Sequence, residues 1–253
     1  MKEDKINFAT FASSNWTEAP KRYAEQLAEI ECKFHFFKKS MIFNEKDLGE
    51  AYNKRFSRYF YTDHGFAYFS WKPMVLLKAL EKIEEGEFLF YMDGGCTFPM
   101  ERISEFLEKL SETKDKMVSS DSLFGLTFFN ERPWQQFPGF PNVTIVKKEI
   151  LNEFGLENDL DFLFYYPHWQ AGLVLLRKNE KTIDFLKEWY IFFLENYETC
   201  VRGGYRDRTG QHPMFIQNGS DQAILQCMLY SKKTQIQEMN FIHNFEIIKH
   251  IRK

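Results

Sequence analysis

Gly86-Glu87-Phe88-Leu89-Phe90-Tyr91-Met92-Asp93-Gly94-Gly95-Cys96 is an apolar run of high β-propensity that stops at a carboxylate and two glycines. Such a strand delivers one acid to the edge of a sheet, and the glycines let a bulky ligand approach the backbone beside it. An ordinary strand followed by an Asp-Gly turn has the same composition, so the neighbouring segments must decide between the two.

Upstream, Trp71-Lys72-Pro73 opens a helix in which Met74, Leu77, Leu80 and Ile83 recur at helical spacing until Glu84-Glu85-Gly86 stops it. Earlier still, Ile6 to Ala12 reads as a strand ending in Ser13-Ser14-Asn15. A helix capped by Asn15 or Thr17 then runs to about Glu31, with Pro20 near its start. Phe34 to Phe37 is a short strand, and Lys46 to Phe56 a weakly amphipathic helix.

Downstream, Pro99-Met100-Glu101 begins a helix with Ile103, Phe106, Leu107 and Leu110 on one face. Leu123 to Phe129 is a strand, and Thr144 to Phe154 a helix with Thr144 as its cap. Gln170-Ala171-Gly172-Leu173-Val174-Leu175-Leu176 is a near-continuous apolar strand of the fully buried type. Asn179 caps a long aromatic helix through Tyr197. Ser220-Asp221-Gln222 starts the last clear helix, whose inner surface is Ala223, Leu225, Cys227, Met228 and Leu229.

Strands and helices therefore alternate throughout, which predicts an α/β fold with a mostly parallel, Rossmann-type sheet covered by helices on both faces. No low-complexity linker or internal repeat interrupts residues 1–253, so a single domain is expected. Ligands bind beyond the carboxyl ends of strands in such sheets, and Ser13 and Asp93 both fall at such ends.

Composition narrows the partners. The formal charge of −3 supplies no basic footprint for nucleic acid. Aromatic residues make up 18% of the chain, with 28 Phe, so rings must fill most of the core. Cys32, Cys96, Cys200 and Cys227 are far apart and lack metal-ligand spacing, which points to free thiols in a reducing, cytoplasmic setting. No apolar h-region follows Met1-Lys2-Glu3-Asp4-Lys5, and no stretch has the roughly 18 uninterrupted apolar residues of a membrane span. The mixed apolar and basic tail Ile247 to Lys253 allows at most peripheral membrane contact.

A lone carboxylate beside Gly94-Gly95 suits a divalent cation that bridges a diphosphate and fills its shell from phosphate and water. A second acid one residue on would strengthen that signal, and position 95 is glycine. Taken in order, Trp71-Lys72-Pro73, Phe90 to Cys96, Gln170 to Leu176 and Ser220 to Leu225 resemble the motifs of nucleotide-sugar glycosyltransferases of the GT-A type. Gln170-Ala171-Gly172 is similar to the asparagine-alanine-glycine segment of glycogenin-like families, and Ser220-Asp221-Gln222 to the Asp-Gln helix start that follows it. The resemblance spans about residues 6 to 230.

It implies a hexosyltransferase-like enzyme that moves a sugar from a nucleoside-diphosphate sugar, UDP-linked by preference, to a glycan or lipid-linked acceptor, as in surface-glycan biosynthesis. Carried over, Ser13 would lie near the base or ribose, and Asp93 at the metal and diphosphate. Gln170, Ala171 and Gly172 would line the sugar pocket, while Asp221 and Gln222 would face the sugar or acceptor. Mn²⁺ or Mg²⁺ would be the cofactor, with His243 as its late ligand. Gly95 and Gln170 depart from the family pattern, which puts metal dependence and sugar choice in question.

Other residues have readings of their own. Lys72, in a helix's first turn, is either a phosphate-holding cation or a solvated lysine. Asp221 is either a base near the acceptor or an acid that only stabilises its helix. Thr199 to Asn218, with Arg202, Arg206, Arg208, His212 and Gly203-Gly204, is either a loop closing over a diphosphate or a plain surface loop. Trp134, Phe137 and Phe140 are either an acceptor wall or a packed loop. Three rivals remain: a sugar-nucleotide nucleotidyltransferase, disfavoured because Ala9 to Asn15 has no glycine; a non-catalytic nucleotide-sugar-binding module; and a glycoside hydrolase.

Overall fold

The computed structural model describes residues 6–59, 65–128, 141–201 and 203–239. Six strands form one sheet in the order β2-β1-β3-β5-β4-β6: β1 Ile6–Phe11, β2 Phe37–Phe43, β3 Phe88–Met92, β4 Phe124–Phe128, β5 Trp169–Arg177 and β6 Ile236–Glu238. Parallel pairing joins β1 to β2 and β3, and β4 to β6. β5 alone runs the other way and pairs antiparallel with both β3 and β4. Apolarity along β5 reports burial on both faces, not direction. Its reversal brings residues 169–172, the start of the strand, to the edge where β3 ends.

Helices cover both faces. On one side lie α1 (Glu18–Phe34) and α4 (Ile103–Ser120), which bury Tyr23, Leu27, Ile30, Phe106, Leu107 and Leu110 against Phe8, Phe88, Phe90 and Met92. On the other lie α2 (Glu50–Phe56), α3 (Lys72–Glu81), α5 (Lys148–Glu153), α6 (Glu180–Val201) and α7 (Asp221–Ser231), packed around Leu89, Tyr91, Val174 and Leu176. β3 thus sends Phe88, Phe90 and Met92 to one core and Leu89 and Tyr91 to the other, the period-two signature of a strand with helices on both faces. The next residue in the Tyr91 series is Asp93, so its carboxylate turns towards α3 and α7.

Several elements differ from the sequence expectation. β2 starts at Phe37 because α1 continues to Phe34, and β2 is an edge strand with Lys38, Lys39 and Ser40 exposed. The expected helix from Lys46 is split by Gly49, whose φ of 89° separates a 3₁₀ turn, Glu45–Leu48, from α2. Thr144 caps nothing: its hydroxyl donates to Pro141 O within a 3₁₀ turn, and α5 begins at Lys148. Neither Thr17 nor Ser220 makes a side-chain cap hydrogen bond, whereas Asn179 Oδ1 accepts from Thr182 N at 2.8 Å as a cap should. All four cysteines are free. No helix among the described residues is long and apolar enough to cross a membrane.

Phe90 is fully buried between the rings of Phe8 and Phe106. Phe90→Ala should cost about 3–5 kcal/mol through lost burial and the cavity left behind. In a denaturant titration the midpoint should fall with the slope unchanged.

Candidate active site

Asp93 leaves the carboxyl end of β3, and its main-chain N–H donates to Gly172 O at 2.8 Å on β5. The turn that follows is fastened from α1. Tyr23 Oη shares its one proton between the carbonyls of Asp93 (2.7 Å) and Cys96 (2.9 Å), and Arg22 Nη2 donates to those of Gly94 (2.5 Å) and Cys96 (2.8 Å). Gly94 has no room for a side chain, since a Cβ there would meet Phe11 O at 2.7 Å and the Trp16 ring at 3.2 Å. Close approach of the β1–α1 connection therefore explains one of the two glycines. A Cβ on Gly172 would come to 3.1 Å from Asp93 Oδ2, so the carboxylate lies close over the backbone there.

Lys72 joins the three parts of the site. It is not solvated: its side chain is 2% exposed, and Nζ lies 3.0 Å from Asp93 Oδ1 and 2.5 Å from Asp221 Oδ2. Nζ also donates to Ala171 O at 3.0 Å, while Phe69, Trp71 and Tyr91 place ring centroids 5.7–5.8 Å from it. Tyr91 Oη donates to Asp93 Oδ1 at 2.6 Å. The ammonium is thus engaged by two acids and a carbonyl, which rules out the alternative of a solvated lysine. Fully ionised, the trio carries one net negative charge.

Exposure grades across the trio. The Asp93 side chain is 28% exposed and that of Asp221 7%, so a ligand meets Asp93 first. Burial raises the Asp221 carboxyl to about 6, an effect larger than the opposing pull of Lys72 and reinforced by the nearby charge of Asp93. Asp221 opens α7, and Ser220 before it has a φ of 50° with its hydroxyl buried. Ala67, Tyr68 and Phe69, just ahead of Lys72, also have left-handed φ values of 46°, 48° and 60°. Such backbone costs about 1–2 kcal/mol per residue, so packing on both sides must hold each charged residue in place.

The remaining expected residues fall around this centre. Ser13 lies on the β1–α1 connection, where its hydroxyl donates to Asn15 Oδ1 at 2.5 Å. Gln170 and Ala171 sit buried at the start of β5. Gln222 follows Asp221 and contacts His168 and Ala171 N. Arg206, Arg208 and His212 are exposed, on a segment tied down by Asn218 Nδ2 to Cys200 O, Ile216 N to Thr144 O and Gly219 N to Ile145 O. Arg202, His243, Trp134, Phe137, Phe140 and the Ile247 to Lys253 tail lie outside the described residues.

Among the described residues no group of three or more His, Cys, Asp or Glu is placed to hold a metal ion. Cys96, next to the site, is no nucleophile, because burial pushes its thiol up to about 12. Sequence reasoning missed Tyr91, Tyr23, Arg22 and His168. Tyr91 was within reach, since it precedes Asp93 by two on one strand. The others act through pairings that only the fold creates.

No protein-family model and no curated protein matches the chain. Among solved structures, it is similar over 77% of its length, and 74% of the other chain, to a glycosyltransferase involved in glycosylation of the major capsid of PBCV-1, at 13% identity and a TM-score of 0.36. It is similar to apo mouse xyloside xylosyltransferase 1 over 92% of its length and 84% of the other, at 10% identity and a TM-score of 0.42. An active-site mutant of LgtC matches 92% of this chain and 72% of its own, at 10% identity and a TM-score of 0.34. With identities and TM-scores this low, function has to be read from the site's own residues.

Removing Lys72 would strand two carboxylates at the protein interior. Lys72→Met should lower stability by about 3–5 kcal/mol at pH 7. A carboxyl raised in the folded state favours folding below its unfolded value, and that contribution is lost as pH rises through the folded one. The deficit against wild type should therefore be smallest below pH 5 and grow towards pH 7, as urea titrations across that range would show.

Proposed function

We propose that the chain is a glycosyltransferase that moves a sugar from a nucleoside-diphosphate sugar, UDP-linked by preference, to a saccharide acceptor. The observation that supports this best is the Asp93–Lys72–Asp221 trio, set where β3 ends, β5 begins and α7 starts. In such a transfer the anomeric carbon gains positive character while the diphosphate departs. A buried cluster with net negative charge stabilises that cationic centre better than it does the neutral ground state. Asp221, with its raised carboxyl, suits proton exchange with an acceptor or sugar hydroxyl near neutral pH.

Mn²⁺ or Mg²⁺ fits the described residues only as an ion held by Asp93 and completed by diphosphate oxygens and water; His243, outside the described residues, is a further candidate ligand on the sequence resemblance alone. When bound it would offset the charge of the departing diphosphate. Lys72 orients both acids, and the rings of Phe69, Trp71 and Tyr91 keep water from its ammonium. A surface glycan or lipid-linked oligosaccharide as acceptor rests on the sequence resemblance alone. The engagement of Lys72 together with Gly95 favours a second reading, a nucleotide-sugar-binding module without turnover.

UDP with Mn²⁺ should raise the melting temperature, and Asp93→Ala should abolish the shift. Hydrolysis of UDP-sugars lost in Asp221→Asn identifies an enzyme, whereas nucleotide binding without turnover identifies the module. No shift with UDP, GDP, CMP or ADP, with or without the metal, rules out both.

A further inference from the structure

His168 lies two residues before Gln170, buried, immediately ahead of β5. Its Nε2 contacts the side-chain nitrogen of Gln222, the second residue of α7. The carbonyl oxygen of the same amide accepts from Ala171 N at 3.5 Å. These two contacts point to one orientation of the amide and one tautomer of the ring. A backbone N–H can only donate, so the oxygen of Gln222 faces Ala171 and the nitrogen faces the histidine. The amide nitrogen can only donate as well, so Nε2 must accept and the ring proton must sit on Nδ1.

We propose that His168 is a positioning residue whose neutral, Nδ1-protonated ring fixes the Gln222 amide beside Asp221 and Ala171. The role rests on the reading of Asp221 and Gln222 as sugar-handling residues. Burial supports it, lowering the ring to about 3, so the acceptor at Nε2 persists throughout the working pH range. An unfixed glutamine amide can turn over and exchange its donor for its acceptor. Locked at both ends, Gln222 offers substrate one defined N–H and one defined lone pair. His168 itself is 3% exposed and reaches substrate only through Gln222.

Two measurements on the full chain test this. Spectra of ¹⁵N-histidine-labelled protein, with the resonance assigned through His168→Gln, should show the Nδ1–H tautomer unchanged from pH 5.5 to 8. An Nε2–H tautomer or a charged ring overturns the proposal whether or not any sugar is turned over. Hydrolysis of UDP-glucose, UDP-galactose and UDP-xylose supplies the second readout. His168→Leu should lower kcat by about tenfold to a hundredfold with KM little changed, a loss of the size expected when a reacting group is misplaced. His168→Gln, which returns an acceptor near the position of Nε2, should recover most of it. In a Gln222→Ala background His168→Leu should cost nothing more. Additive losses, or no recovery in His168→Gln, overturn the positioning role. If Gln222→Ala alone leaves hydrolysis intact, the reading of the site fails, and the tautomer still decides how the ring is held.

Discussion

Lys72, Asp93 and Asp221 come from three segments separate in sequence, and the buried ammonium binds the two acids into one cluster. An ammonium with 2% exposure is tolerable only because two carboxylates and the Ala171 carbonyl take up its donors. The carboxylate of Asp221 is tolerable only because that ammonium is there. This mutual dependence fixes how α3 and α7 sit over the end of β3.

The reversed strand is the second constraint. Because β5 runs against its neighbours, its first residues, not its last, lie beside Asp93. Gly172 then faces the carboxylate, Ala171 offers its carbonyl to Lys72, and His168 meets Gln222. With β5 parallel to β3, these residues would lie at the opposite edge of the sheet.

What the sequence reveals follows from the range of each signal. The strand character of β3 and the acid at its end are local, and they read correctly, whereas the bare backbone at Gly94 answers Phe11 and Trp16, which are distant in sequence. The inner face of α4 and the Asn179 cap are local as well. The direction of β5 leaves no trace in hydropathy, because a strand buried on both faces is apolar whichever way it runs. Three half-buried residues of β6 are too few to show a period. Lys72 misleads because lysine usually marks a surface, and the two acids that change its meaning are distant in sequence. Asp93, Asp221, Gln170 and Gln222 could be singled out one by one, but not the bonds that unite them.

The position of β5 also shapes how the chain must be made. β3 pairs Leu89 with Leu176, whereas its other partner, β1, is already present when β3 is synthesised. On a ribosome, β3 therefore waits on the order of 10 s for its second neighbour. Throughout that interval Phe88–Met92, wholly buried in the finished fold, has an open edge of unpaired amides and carbonyls. The strand that completes the site is also the one whose late arrival leaves the edge of β3 open to wrong pairing.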